Sequence, residues 1–264
     1  MVNEIFKKSL GQNFLKDKNI VNKILNLSNL KNKNIIEIGP GEGALTEEIL
    51  KKKPKSLSLI EKDYDLVKKL KNRYNKNKII KIYNNDFLNF EIEKIITNNS
   101  IFLGNLPYNI SSQILVKILK LKKWPSKIDD IIFMFQKELG EKIIGKYLSS
   151  NYGRLSILST YRLNFQKKFL VSPNSFFPKP KVTSMVIHFK PKKQKLFKIN
   201  NINSLEKVTN VLFSNKRKMI NKNIKKILSS EEIKLIRDLN LNSRPSEIKP
   251  ETYFKITELY EKNR

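Results

Sequence analysis

Ile35-Ile36-Glu37-Ile38-Gly39-Pro40-Gly41-Glu42-Gly43 is the stretch whose reading decides how this chain folds. Its short apolar run reads as a buried strand, and the glycines after it let the backbone turn tightly into a helix beginning near Ala44. With no side chain at Gly39 or Gly41, a ligand can lie against the main chain at the helix N-terminus. The Gly-x-Gly-x-Gly spacing differs from the Gly-x-Gly-x-x-Gly of dinucleotide binders, and the acid ahead of it, Glu37, is also unlike them. On these residues alone a plain strand-to-helix turn remains the alternative.

The next two acids narrow the choice. Leu57-Ser58-Leu59-Ile60 reads as a second strand and ends in Glu61, 18 residues after Gly43. An acid at the end of the second strand of a doubly wound sheet accepts hydrogen bonds from both ribose hydroxyls of an adenosyl group. A third strand, Ile79 to Tyr83, runs into Asn84-Asn85-Asp86, where a carboxylate is placed to hold an adenine amine. Either acid alone reads equally well as a loop or cap residue. The whole order of strand, glycine loop, strand-acid and strand-acid resembles S-adenosylmethionine (SAM) methyltransferases, whose loop is Glu-x-Gly-x-Gly-x-Gly. SAM is therefore the expected cofactor.

Composition sets the outer limits. The 264 residues suffice for one large domain plus a small one. Lys and Arg total 53 against 24 acids, a net charge of +29, which favours a polyanionic partner, nucleic acid before anionic membrane. An AT-biased genome, legible in the crowding of Lys, Asn and Ile, is the competing source of that charge. There is no cysteine, hence no disulfide and no thiolate metal site, which suits a reducing cytoplasm. Neither the N-terminal residues nor any later apolar run reads as a signal peptide or membrane span, so the expectation is a soluble intracellular protein.

Ahead of the first strand stands Lys7-Lys8-Ser9-Leu10-Gly11-Gln12-Asn13-Phe14-Leu15, followed by Asp17 opening a helix to about Leu27. Gly-Gln-Asn-Phe-Leu before Glu-Ile-Gly-Pro-Gly resembles the ribosomal RNA adenine dimethyltransferase family. The resemblance implies that Asn13 and Leu15 also touch SAM, along with Gly39, Gly41, Glu61 and Asp86. From the residues alone, the segment is a polar turn with an apolar anchor.

Ser100 to Gly104 reads as a fourth strand delivering Asn105-Leu106-Pro107-Tyr108 at its C-terminal edge, where open α/β sheets keep their sites. An exocyclic adenine amine is a poor nucleophile, because its lone pair is delocalised into the ring. The Asn105 amide oxygen and the Leu106 carbonyl can accept its two N–H bonds and turn that lone pair towards a methyl donor. Pro107 fixes the turn, and Tyr108 offers a ring to an extruded base. No general base is needed, since the amine proton becomes acidic once nitrogen carries a fourth bond. The resemblance makes Asn105 a SAM contact as well as a catalytic residue.

A helix from about Ser112 to Leu121 follows, then a fifth strand, Asp129 to Phe135, leading into Gln136-Lys137-Glu138. Tyr152-Gly153-Arg154-Leu155-Ser156 opens the next element. The loop Val171-Ser172-Pro173-Asn174-Ser175-Phe176-Phe177-Pro178-Lys179-Pro180-Lys181-Val182 precedes a strand, Val182 to Phe189, expected to run antiparallel. Phe176 or Phe177 is a candidate for the face of the target base opposite Tyr108, and core packing is the alternative. The resemblance favours Phe176. His188, the only histidine, reads as structural.

A Lys- and Pro-rich linker near Phe189–Lys195 divides a catalytic domain, residues 1–190, from a helical domain, residues 191–264. Helical patterns cover Ser204–Leu228, with a possible break near Ser214, then Ser230–Leu239 and Pro250–Glu261. Residues 190–228 hold 12 Lys or Arg and one acid, whereas 229–264 hold seven of each. That asymmetry marks Lys216, Arg217, Lys218, Lys222, Lys225 and Lys226 as an RNA-facing surface, against a merely solvated helix.

The expected fold is thus α/β, a Rossmann-like SAM-dependent methyltransferase domain with a small all-helical C-terminal domain. The resemblance implies dimethylation at N6 of two adjacent adenosines in the 3′-terminal hairpin of 16S rRNA, with the small ribosomal subunit or its precursor as partner. It also implies a role in small-subunit biogenesis, a monomer, and no metal. Tyr-Gly-Arg-Leu-Ser and Gln-Lys-Glu favour the small-subunit branch over the sister branch acting on large-subunit rRNA. An intact SAM loop and Asn-Leu-Pro-Tyr disfavour a non-catalytic assembly factor, and Asn105 disfavours a DNA methyltransferase. Two departures stand out: Lys216-Arg217-Lys218 replaces the family's paired arginines, and Phe177 replaces a small or polar residue.

Overall fold

In a computed structural model, residues 13–124, 127–193 and 197–262 are described. The Lys7–Gln12 part of the N-terminal motif and Gln194 and Lys195 of the linker lie outside them. The chain divides into two compact units. Met1–Lys117, Ser126–Gly140 and Phe165–Pro191 form the first, and Ile118–Pro125, Glu141–Asn164 and Lys192–Arg264 the second. The boundary expected near residue 190 is thus only the last of several crossings, since two earlier segments also belong to the helical unit.

The first unit begins with β1 (Phe14–Leu15) and α1 (Lys18–Leu25), the latter capped by Asp17, whose carboxylate accepts from the amides of Asn19 and Ile20. Then β2 (Asn34–Ile38), α2 (Ala44–Lys51), β3 (Ser56–Glu61), α3 (Tyr64–Tyr74), β4 (Ile80–Asn84), β5 (Ser100–Asn105) and α4 (Ser111–Leu119) alternate. After β6 (Ile128–Gln136) come α5 (Lys137–Ile143), then α6 (Arg154–Arg162), which belongs to the second unit, and β7 (Leu163–Val171), β8 (Phe176–Phe177) and β9 (Ser184–Pro191). Seven strands form one sheet in the order β4-β3-β2-β5-β6-β9-β7, parallel from β4 to β6 and antiparallel between β6 and β9. The central strands are mostly apolar because helices cover both faces; Ile35, Ile36, Ile101, Phe102 and Leu103 are essentially unexposed. β7 carries no apolar alternation that a sequence pattern would catch: six of its nine residues are exposed.

The second unit continues with α7 (Ile202–Leu212), α8 (Asn221–Ile224), α9 (Ser230–Lys234) and α10 (Pro250–Lys262). The helical pattern over Ser204–Leu228 is interrupted where a break near Ser214 is expected: after Leu212 it passes into a 3₁₀ turn at Phe213–Asn215, so Lys216, Arg217 and Lys218 lie in an exposed connection and not on a helix. Neighbouring cations repel one another, and Phe213 turns inward to stack on the fully buried Tyr253 ring at 5.7 Å. α9 also ends sooner than its pattern, leaving Leu235 exposed. Arg162 ties its own unit together, donating to the Leu119 carbonyl and, at 2.8 Å, to that of Leu121, with its guanidinium over the Trp124 ring.

A two-residue ribbon decides the fate of the paired phenylalanines. β1 and β8 pair antiparallel with Leu15 opposite Phe176 and Phe14 opposite Phe177. Directly opposed residues share a face, so one pair points inward and the other outward. Leu15 and Phe176 are the inward pair, both in the hydrophobic core. Phe177 is 45% exposed, with the Lys16 ammonium 3.9 Å from its ring centroid. Phe176, the candidate for the face of the target base opposite Tyr108, has its ring in the core, 5% exposed. Phe176→Ala should cost about 3–5 kcal/mol in denaturant unfolding, and Phe177→Ala no more than about 1 kcal/mol. Equal losses in the two variants would contradict this register.

Candidate active site

The glycine loop leaves β2 with Gly39, Gly41 and Gly43 all in the left-handed region, at φ of 65°, 59° and 88°. A side chain at Gly41 would also collide with Phe14, since an added Cβ would sit 2.9 Å from its ring. Glu61, at the end of β3, fastens this loop. One of its carboxylate oxygens accepts from the Gly41 amide at 3.1 Å, and the other from the Asp63 amide at 2.9 Å. Burial pushes the Glu61 carboxyl above its usual range, and its hydrogen bonds from backbone amides oppose that shift.

Around the loop lies a cavity of about 870 Å³, formed by the C-terminal ends of β2, β3, β4 and β5. The sequence-predicted Asn13, Leu15, Gly39, Gly41, Glu61, Asp86, Asn105, Leu106, Pro107 and Tyr108 all line it. Phe176 does not.

Asn105 lines the cavity with its side-chain amide held in one orientation. Its Nδ2 donates to the Asn13 carbonyl at 2.8 Å. Only the NH2 end of an amide can donate to a carbonyl, so the flip is settled and Oδ1 is the end left to accept. Tyr108 is held by a 2.6 Å hydrogen bond between its hydroxyl and Ser184 Oγ on β9. Burial raises its pKa, keeping the phenol neutral.

On the opposite wall Asp86 accepts from the Leu88 amide and from Lys62 Nζ, each at 2.9 Å. Burial works against its charged form, but these two bonds outweigh it and the pKa falls. The loop after Asp86 is clamped by Lys117 of α4, whose Nζ donates to the carbonyls of Phe87, Leu88 and Phe90 at 2.7 Å each. An ammonium has three donors, and all three are used. Sequence reasoning missed Lys117 and Ser184. Lys117 binds backbone carbonyls, which leave no side-chain pattern, and Ser184 meets Tyr108 only through the pairing of β6 with β9.

Glu37 is the second buried acid of the loop, 1% exposed, with Thr46 Oγ1 donating to it at 2.6 Å. Burial pushes its pKa up to about 8, Thr46 opposes the shift, and the nearby Glu61 adds to it. A raised acid pKa means that the folded state binds the extra proton. Stability therefore falls as pH rises from about 4.5, the unstrained value, to about 8. Glu37→Gln keeps an acceptor for Thr46 without the charge. Urea titrations at pH 5 and pH 8 should show the wild type losing stability relative to Glu37→Gln by on the order of 4 kcal/mol. Parallel pH curves for the two proteins would show that Glu37 is ionised at no such cost.

Comparison with known proteins bears on this geometry. A family model described as ribosomal RNA adenine dimethylase matches residues 3–262. The chain is 43% identical over 259 residues to ribosomal RNA small subunit methyltransferase A of Pelagibacter ubique, covering 97% of each chain. To the protein of that name from Francisella tularensis subsp. novicida it is 42% identical over 231 residues, 86% of each. Among solved structures, a dimethyladenosine transferase from Plasmodium falciparum superposes with TM-score 0.74 at 23% identity, over 92% of this chain and 95% of that one. The 23S rRNA methyltransferase ErmE superposes with TM-score 0.69 at 23% identity, over 94% and 99%. These two likenesses show a shared α/β methyltransferase fold. With a family model spanning nearly its whole length and relatives this similar, the chain belongs to the ribosomal RNA adenine dimethylase family.

Proposed function

We propose that this protein is a SAM-dependent enzyme that dimethylates N6 of two adjacent adenosines in the 3′-terminal hairpin of 16S rRNA. Its partner is the small ribosomal subunit or its precursor, and it acts as a monomer in the cytoplasm during subunit biogenesis. The observation that carries the reading is the Asn105 amide, fixed by the Asn13 carbonyl so that its oxygen is the accepting end. The names of the small-subunit relatives support the choice of rRNA.

The residues present fit the cofactor. Bare backbone at Gly39 leaves room that a Cβ would fill, and carboxylates stand at the ends of two adjacent strands. Glu61 would hold the ribose hydroxyls and Asp86 the adenine amine, with Asn13 and Leu15 closing over them. SAM, when bound, supplies an electrophilic methyl group. Asn105 Oδ1 and the Leu106 carbonyl accept the two N–H bonds of the target amine, drawing nitrogen towards tetrahedral geometry. Pro107 holds the Leu106 carbonyl in place, and the Tyr108 ring stacks on the flipped base. In the helical unit the exposed Lys216, Arg217, Lys218, Lys222, Lys225 and Lys226 lie along rRNA phosphates.

Radiolabelled methyl transfer to unmethylated small subunits, large subunits and duplex DNA, followed by mapping of the modified base, tests the assignment. Label confined to two adjacent small-subunit adenosines is expected; label on large subunits or DNA overturns it. Asn105→Ala should lower the rate by about a hundredfold or more while SAM still binds. Lys117→Met, which releases the loop behind Asp86, should weaken SAM affinity roughly tenfold and leave the rate at saturating SAM within about twofold of wild type. A Lys117→Met protein with wild-type SAM affinity would remove the clamp from the account.

A further inference from the structure

β7 is the last strand on its side of the sheet and is exposed on both faces over most of its length. Phe165 is 47% exposed and Leu170 51%. Alternate residues share a face, so Phe165, Lys167 and Phe169 fall on one side and Gln166, Lys168 and Leu170 on the other. Lys23, reaching over from α1, sets its ammonium 4.4 Å from the Phe169 ring centroid, which extends the first row. The row therefore reads ring, cation, ring, cation, with neighbours on the strand spaced by about 6.6 Å. Among the described residues no carboxylate pairs with Lys23, Lys167 or Lys168, and neither β7 nor α1 contains an acid.

We propose that this edge is a second RNA-docking strip, outside the cavity and outside the basic run of the helical unit. A segment of rRNA lies along the face of β7 that carries Phe165 and Lys167, with a base on Phe165 and phosphates on Lys23 and Lys167, and Lys168 on the other face adds to the charge of the same edge. Aromatic rings offer stacking to any base, and interleaved cations track the backbone, the combination that binds single strands without reading sequence. The inference rests on the rRNA-methylating reading for the identity of its polyanion.

A different physical account exists for the same lysines. Edge strands need guarding against pairing with other chains, and lysine is a common guard. Glutamate guards equally well but repels phosphate, so charge reversal separates the two roles. Lys167→Glu/Lys168→Glu is compared with Lys68→Glu/Lys71→Glu, a matched reversal on exposed residues of α3. Affinity for unmethylated small subunits is measured across a salt series, with SAM affinity and the methyl-transfer rate at saturating subunit as controls. The β7 reversal should weaken subunit binding at least tenfold and shrink the salt slope by roughly 0.7–0.9 for each phosphate no longer neutralised. SAM affinity and saturated rate should stay within about twofold, Lys167→Arg/Lys168→Arg should bind like wild type, and Phe165→Ala should weaken binding roughly tenfold. Equal losses from the α3 reversal, or unchanged subunit affinity in the β7 reversal, would overturn the strip. Changed self-association with intact subunit binding would assign the edge to a second copy of the chain instead. Wild-type protein that neither binds nor methylates small subunits would overturn the functional reading itself, a result distinct from failure of the edge alone.

Discussion

The Glu61 carboxylate is the constraint on which the cavity depends. Its two oxygens take the amides of Gly41 and Asp63, so one side chain sets the glycine loop against the end of β3. The loop cannot be built otherwise, because three left-handed glycines in five residues have little preference of their own for one path. A buried carboxylate is costly unless it is well bonded, and here the backbone amides supply the bonds. Glu37 is buried in the same neighbourhood, and its pKa is raised chiefly by that burial and in part by Glu61.

The N-terminal segment completes that shape from the other side. The Asn13 carbonyl orients the Asn105 amide, the Phe14 ring covers Gly41, and Leu15 enters the core. Phe14 and Leu15 do different things because alternate side chains of an extended backbone point to opposite faces, while Asn13 acts through its carbonyl. The same alternation across the ribbon sends Phe176 inward and Phe177 outward. Adjacent identical residues have opposite roles for that reason alone.

Charge is distributed less simply than composition suggests. Lys117 is a cation spent wholly on carbonyls, and Lys62 on Asp86, whereas Lys167 and Lys168 have no carboxylate partner among the described residues. A net charge of +29 therefore mixes structural lysines with ones that face solvent or a polyanion. Only their surroundings tell the two kinds apart.

The parallel sheet, the glycine loop, both cavity acids and the Asn-Leu-Pro-Tyr turn were legible in the sequence by itself. Each rests on local chemistry: a doubly buried strand must be apolar, a tight turn needs glycine, and a strand end places its next residue at the sheet edge. The family resemblance was legible for the same reason, since its motifs are contiguous. Tertiary structure alone decided which of Phe176 and Phe177 is core, because a two-residue ribbon has no periodicity to read. A break near Ser214 was legible in the sequence, but the stacking of Phe213 on Tyr253, forty residues away, that goes with it was not. The Lys117 clamp, the Tyr108–Ser184 bond and the exposed edge of β7 were likewise beyond the sequence. Their partners are backbone carbonyls, a distant serine and open solvent, and none of these leaves a mark on the order of side chains along the chain.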